Sequence, residues 1–200
     1  MTENPQSLLD ARKRELRRSL SERRRALEPA MRAAMSRAAA WNALLAAPWQ
    51  ERPKIALFWP LADEIDTLPL LQALHWLGAE PLLPRMQGRG RPLVFHRWQP
   101  GLELVEGPFR VREPPPGLPP ELPGIVLAPL LAFDARGNRL GYGAGFYDRT
   151  FAAIAAAGAA PLRCGFCFAA QEVADVPAGP SDIMLQLVVT ETGWRRLGEG

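Results

Sequence analysis

The sequence predicts an α/β fold. It reads as one three-layer α/β/α domain over residues 1–200, with a mostly parallel or mixed central sheet and an N-terminal helical segment, 6–47, packed on it. Three observations carry this. From residue 54 onward short apolar runs alternate with segments of helical period, the pattern of strands feeding crossover helices. One run, IVLAPLLAF at 125–133, is apolar throughout, as a strand covered on both faces requires. And 48% of the 200 residues are hydrophobic, enough for a sizeable core in one domain.

In chain order, Leu8, Leu9, Leu16, Leu20 and Leu27 recur at near-helical spacing among Arg, Lys and Glu, and Pro29 separates this helix from a second at 30–47. Pro48 and Pro53 end the helical pattern. KIALFW at 54–59 reads as a strand closed by Pro60. Residues 66–77 read as a helix with Leu68, Leu71, Leu74 and Leu77 on its apolar side and Gly78 as its stop. PLLP (81–84) and PLVFHRW (92–98) are two further extended segments. EPPPGLPPELPG (113–124) is too rich in proline for a helix or a central strand and reads as a surface connection. After 125–133 come a glycine-rich loop, a helix at 146–157 stopped by Gly158, and strands at 162–168 and 184–190.

A net charge of +3 and a pI near 9.3 favour anionic partners without choosing among nucleic acid, nucleotide and other acidic metabolites. No apolar run reaches bilayer-spanning length and the first residues lack the apolar core of a signal peptide, so a cytoplasmic protein with no membrane partner is expected. Cys164 and Cys167 have the C-x-x-C spacing of a redox pair or half a zinc site. No second such pair accompanies them, and His75 and His96 are isolated. Within the apolar segment LRCGFCF they read as small buried residues.

The stretch RLGYGAGFYDR, 139–149, carries the chemistry. A helix N-terminus offers unpaired N–H groups and a partial positive charge. Glycines before it, here Gly141, Gly143 and Gly145, let the backbone approach an anion and take positive φ, so that successive N–H groups form a nest for phosphate oxygens. Arg139 adds a charged donor, and Arg136 a second. The spacing is neither G-x-G-x-x-G nor a Walker A loop, and from these residues alone a phosphate loop and a tight structural turn stand level. Asp148, on the first helical turn, can complement the helix dipole or hold Mg²⁺, which takes few carboxylates and keeps phosphate oxygens as ligands. Asp182, in GPSDIM before the last strand, can reach the same point from another strand end or serve as a turn acid.

Together these residues resemble a family. RLGYGAGFYDR resembles the signature of the 5-formyltetrahydrofolate cyclo-ligases, also called methenyltetrahydrofolate synthetases. The run Lys13, Arg14, Glu15, Leu16, Arg17 resembles their basic K-x-x-L-R helix motif. ALFWPLADEIDT (56–67), GPFRVREP (107–114) and GFCFAAQEV with PSDIMLQLVVT resemble further segments in the same order, so that the likeness runs from about residue 13 to about 190. It implies conversion of 5-formyltetrahydrofolate to 5,10-methenyltetrahydrofolate, with ATP as co-substrate and Mg²⁺ as cofactor. The formyl oxygen takes the γ-phosphoryl group, the neighbouring folate nitrogen attacks the activated carbon, and phosphate leaves as the ring closes. The resemblance also implies roles. Lys13, Arg14, Glu15, Leu16 and Arg17, with Arg139, Leu140, Gly141, Tyr142, Gly143, Ala144, Gly145, Phe146 and Tyr147, bind ATP. Arg139, Tyr147 and Asp148 serve catalysis, and Asp148 and Asp182 hold the metal. Phe58, Glu64 and the loop residues Tyr142, Gly143, Ala144, Gly145 and Phe146 bind the reduced folate. Glu64 corresponds to the family's substrate-binding glutamate, suited to two parallel N–H donors of the aminopyrimidine edge, and Phe58, Trp59, Phe146 and Tyr147 are candidate walls for a flat ring. The chain departs from the pattern where some members carry a basic loop residue, here Tyr142 and Ala144, and in the number of prolines at 114–123.

Two rival functions arise. Arg12, Lys13, Arg14, Arg17, Arg18, Arg23, Arg24 and Arg25 on the first helix could follow a nucleic-acid backbone, though Asp10, Glu15, Glu22 and Glu28 are interspersed as on a solvated face. A non-folate ATP-dependent kinase or ligase would use a similar loop. The expectation is a monomeric enzyme on small molecules, without nucleic acid.

Overall fold

A computed structural model describes residues 4–46, 51 and 53–198; Ala47 and Pro48, the expected end of the second helix, lie outside the described residues. The chain opens with α1 (Pro5–Arg25) and α2 (Pro29–Leu45). The Asn4 side chain accepts from the Gln6 N–H at 3.1 Å to start α1. Pro29 does not merely precede α2 but begins it, at the one helical position that needs no N–H, so the break falls at residues 26–28. There follow β1 (Lys54–Ala56), α3 (Leu68–Trp76), β2 (Glu80–Met86), β3 (Leu93–Arg97), β4 (Val105–Glu106), β5 (Arg112–Glu113), β6 (Pro120–Glu121), β7 (Ile125–Ala128), β8 (Ala132–Phe133), β9 (Arg139–Leu140), α4 (Phe146–Ala156), β10 (Leu162–Phe166), β11 (Leu187–Thr190) and β12 (Gly193–Arg196).

Eight strands form one sheet in the order β12-β11-β10-β7-β1-β2-β3-β6. β11, β10, β7, β1 and β2 run parallel, while β12 and β3 pair antiparallel at the two sides, so the sheet is mixed. The proline tract supplies β6, which pairs with β3 as the edge strand, where proline's missing N–H breaks no ladder. Side chains alternate between the two faces. Ile55, Leu57, Ile125, Leu127, Cys164, Phe166, Leu187 and Val189 meet α2 through Ala39, Ala40 and Ala43, and α3 through Leu70, Leu71 and Leu74. Ala56, Val126, Ala128, Leu82 and Phe95 meet Phe151 and Ile154 of α4 on the other face. Each leucine so buried contributes about 1.5–3 kcal/mol relative to exposure. Both cysteines are free and buried, and burial pushes their thiols up, away from reactive thiolate.

Three sequence expectations change. The run 125–133 is not one strand: Pro129 cannot donate to a ladder, so β7 stops at Ala128 and the chain turns into the β8–β9 hairpin. KIALFW likewise pairs only over β1, its last residues leaving the sheet toward the site. Leu77 is 71% exposed, because α3 ends before it, and Leu70 takes its place in the core.

The β8–β9 hairpin is tied by Asp134, whose fully buried carboxylate accepts from the backbone N–H groups of Arg136, Asn138 and Val176. Gly137 sits at φ +92 with its α-carbon against the Leu185 carbonyl, a place no side chain fits. α1 packs Leu16 and Leu20 on Ala132, Leu140 and Val176 of this region, which fixes the helix beside the loop that follows β9.

Candidate active site

The glycine triplet has a packing reason. Gly143 and Gly145 adopt φ +97 and +65, and Gly145 caps α4 in the left-handed region. Where a side chain would project from each glycine, an arginine lies instead. A Cβ on Gly141 would stand 3.4 Å from the Arg139 Nη1, one on Gly143 3.2 Å from the Arg17 guanidinium carbon, and one on Gly145 2.7 Å from the Arg149 Nη1. Arg17 donates from Nε to the Gly141 carbonyl at 2.9 Å, and Arg149 donates to the Ala144 carbonyl at 2.5 Å while lying over the Phe146 ring. The loop is thus a bare backbone ringed by three guanidinium groups, at the positive end of an α-helix.

Asp148 and Asp182 come to the same corner. The Asp148 Oδ1 accepts from Arg139 Nη2 at 2.9 Å and from the Ile183 N–H at 3.2 Å, which draws the segment before β11 against the start of α4. The Asp182 Oδ2 accepts from Lys13 Nζ at 2.5 Å and from the Gly179 N–H at 2.6 Å. Each acid is therefore matched by one cation, from β9 and from α1. Among the described residues no group of three or more His, Cys, Asp and Glu converges as a self-sufficient metal site. Two separate carboxylates beside a phosphate loop are what Mg²⁺ uses when phosphate oxygens complete its shell, so the donor set fits that ion.

Glu64 lies at the end of the excursion after β1. The buried Thr67 hydroxyl donates to the Phe58 carbonyl at 2.7 Å and the Ser36 hydroxyl accepts from the Asp66 N–H at 2.9 Å, pinning the loop at both sides. The Glu64 Oε2 accepts from the Leu61 N–H at 2.7 Å, and its Oε1 accepts from the Tyr142 hydroxyl. Burial pushes the Glu64 carboxyl above the usual range, against those two hydrogen bonds and the nearby Arg24 charge. Arg24, Phe58, Ile65, Pro129, Leu130, Phe166 and Gln171 pack closely around it. Tyr147 is half-buried, with the Arg139 guanidinium 5.5 Å above its ring, and its surroundings raise the pKa of its hydroxyl, favouring the protonated form.

The sequence-predicted residues are thus sorted. Arg17 and Glu64 bond to the loop, Lys13 bonds to Asp182, and Asp148 bonds to the residue after Asp182, whereas Leu16 is partly buried and packs against the core beneath α1. Arg14 and Glu15 are exposed, with Glu15 paired to Arg18 on the outer face. Arg136 is not at the loop: Asp134 and Asp175 hold its guanidinium on the far side of the hairpin. Trp59 points into a neighbouring cleft of about 630 Å³ with Leu68, Gln72, Trp98, Leu102 and Arg112 rather than onto Glu64. Three residues were missed. Arg149 had no role from the sequence, and Arg24 stood only among the first-helix cations that could follow a nucleic-acid backbone. Phe109, at φ +60 beside Arg110 at +58, is 69% exposed and meets Phe146 edge-on, strain of the kind that gathers at binding sites. For Arg24 a signal existed: Lys13, Arg17, Leu20 and Arg24 recur at intervals of four, three and four, one stripe of α1 that also carries its buried leucines.

Comparison with known proteins gives this geometry its family. The 5-formyltetrahydrofolate cyclo-ligase family model matches residues 10–191. The chain belongs to that family. It is 33% identical over 176 residues to the 5-formyltetrahydrofolate cyclo-ligase of Escherichia coli K12, covering 86% of this chain and 96% of that one. It is 38% identical over 146 residues to the cyclo-ligase of Mycolicibacterium smegmatis, covering 68% and 72%. The solved structure of Aquifex aeolicus 5,10-methenyltetrahydrofolate synthetase superposes with a TM-score of 0.79 at 28% identity over 94% of each chain. A Mycoplasma pneumoniae protein of the same description shares the fold, with a TM-score of 0.71 at 18% identity over 90% of this chain and 98% of that one. The α/β/α architecture and the enzyme class expected from the sequence both hold.

Proposed function

We propose that the protein closes 5-formyltetrahydrofolate to 5,10-methenyltetrahydrofolate at the expense of ATP, releasing ADP and phosphate, as a monomer of one domain acting in the cytoplasm without nucleic acid. The observation that carries this reading is the hydrogen bond from Tyr142 to Glu64. It joins the phosphate loop to the buried carboxylate, so an anion on the loop and a flat ring on Glu64 would be neighbours in one site.

In this reading the N–H groups from Leu140 to Tyr147, with Arg17, Arg139 and Lys13, cradle the triphosphate; Arg149 stands at the same loop. The exposed Arg14 and Glu15 and the packed Leu16 serve ATP only by setting the helix that carries Lys13 and Arg17. Asp148 and Asp182 would hold Mg²⁺, which when bound neutralises charge on the transferring phosphoryl group. Glu64 spends one lone pair of each oxygen on Leu61 and Tyr142 and keeps another on each for two pterin N–H donors. Phe58 backs that ring, while Phe109 and Phe146 flank its outer side. The formyl oxygen takes the γ-phosphoryl group, ADP departs, the neighbouring nitrogen attacks the formyl carbon, and the C–O bond to phosphate breaks as the ring closes. Tyr147, keeping its proton, acts as a neutral donor beside Arg139 rather than as a base. The test is the absorbance of methenyl product from 5-formyltetrahydrofolate, ATP and Mg²⁺. Product is expected only with all three, and its absence from the complete mixture overturns the reading.

A further inference from the structure

Arg24 lies 11 residues beyond Lys13 on α1, yet it is the helix's most buried charge, 5% exposed. Its guanidinium donates to Asp63 Oδ2 from Nε at 3.1 Å and from Nη2 at 2.9 Å, and to the Tyr142 hydroxyl from Nη1 at 2.7 Å. The same Nη1 stands 4.0 Å from Glu64 Oε1, and among the described residues no other cation pairs with that carboxylate. Buried ions persist when paired and hydrogen-bonded, and all three guanidinium nitrogens of Arg24 have a partner. We propose that Arg24 is a positioning residue for folate: held in place by Asp63, it fixes the Glu64 carboxylate through Tyr142 and favours its charged form, so that Glu64 can accept the two N–H donors of an aminopyrimidine edge. This rests on the reading that Glu64 binds the pterin.

The groups facing Glu64 set the sign. Asp63 from its own loop repels the ionised form. Arg24 from α1 favours it, with Arg25 4.0 Å from Asp63 behind. Tyr142 from the glycine loop donates to it, and Tyr147 of α4 lies within its field as a neutral hydroxyl. Burial raises the Glu64 pKa, so folate recognition is present above that pKa and fades as pH falls through it. Removing Arg24 takes away the one favourable charge at Glu64 and leaves Asp63 with only the exposed Arg25 at 4.0 Å, so the acid limb should move to higher pH.

The test compares the pH profiles of kcat/KM for 5-formyltetrahydrofolate in the native chain, Arg24→Met and Arg24→Lys, with KM for ATP measured alongside. Arg24→Met should raise the folate KM about tenfold at neutral pH and move the acid limb upward by about one pH unit. The ATP KM should stay within about twofold, since Lys13 and Arg17 remain on the helix. Arg24→Lys should return part of the limb, because the charge is restored without the two-armed bond to Asp63. Ionisation of the substrate is common to all three and cancels. A limb that does not move, or an ATP KM that rises in step with the folate KM, overturns the proposal in favour of a helix anchor. The Glu64→Gln background separates this from the parent reading. If Glu64→Gln leaves folate KM unchanged, the pterin role of Glu64 fails first. If it raises KM and adding Arg24→Lys raises it further by the same factor as in the native chain, Arg24 does not act through Glu64.

Discussion

The two halves of the site hold their carboxylates in opposite ways. The Glu64 side chain is 5% exposed, walled by apolar residues, and anchored on both oxygens before any substrate arrives. The Asp148 and Asp182 side chains are each 24% exposed, and each is matched by a single cation, Arg139 or Lys13. The difference teaches what each half is built to do. A desolvated, prearranged acceptor discriminates between neutral rings by the cost of leaving it unmatched. A half-open acid matched by a single cation can exchange that partner for another charge, which would suit the nucleotide and ion proposed to enter and leave there.

The largest expected break falls on the open half. Asp148→Asn should lower kcat by about a hundredfold or more, since the Mg²⁺ that would offset charge on the moving phosphoryl group loses a carboxylate ligand and Arg139 loses its partner. Unchanged turnover would take Asp148 out of the chemistry. On the buried half, Glu64→Gln should leave kcat nearly intact and raise the folate KM about 10- to 100-fold, because an amide presents only one acceptor where two are needed. Equal loss of ATP and folate affinity would erase the contrast between the halves. Arg17→Ala is the next smaller effect. The guanidinium that lies on Gly143 and the Gly141 carbonyl goes, and the ATP KM should rise about tenfold with the folate KM little changed. The opposite ranking would place α1 on the folate side.

How far all this was legible follows the same division. The alternation of apolar strands and helices is a local, periodic signal, and the α/β/α order could be read from it. What failed was long-range. Nothing local distinguishes GWRR at 193–196 from a polar tail, since β12 exists only by pairing with β11. The break at Pro129 was visible as a residue but outweighed by apolar neighbours on both sides. Among the candidate site residues, the loop and its acids stood out in the sequence because glycine and charge cluster there within a few residues. Arg24 did not, because within the run Arg23, Arg24, Arg25 only the turn of the helix separates the buried guanidinium from the exposed Arg25. Arg136 was misplaced for the converse reason: nearness to the loop in sequence hid Asp134 and Asp175, which claim it. Local chemistry was readable, and ownership of each charge by its partner was not.

The smallest predicted effect sharpens the comparison most, since it falls on the less committed of the two exposed acids. In Asp182→Asn the side chain keeps an oxygen for the Gly179 N–H, which closes the turn before β11, but loses its charge toward Lys13. If Asp182 shares the metal with Asp148, the Mg²⁺ concentration giving half-maximal rate should rise about three- to tenfold, with kcat at saturating Mg²⁺ close to native. If Asp182 serves only to hold Lys13 ready, the Mg²⁺ midpoint will stay put. A Lys13 released from its ion pair would then grip phosphate sooner, and the ATP KM would fall instead. A Mg²⁺ titration and an ATP titration on the one variant thus decide whether the open half contains one metal-binding acid or two.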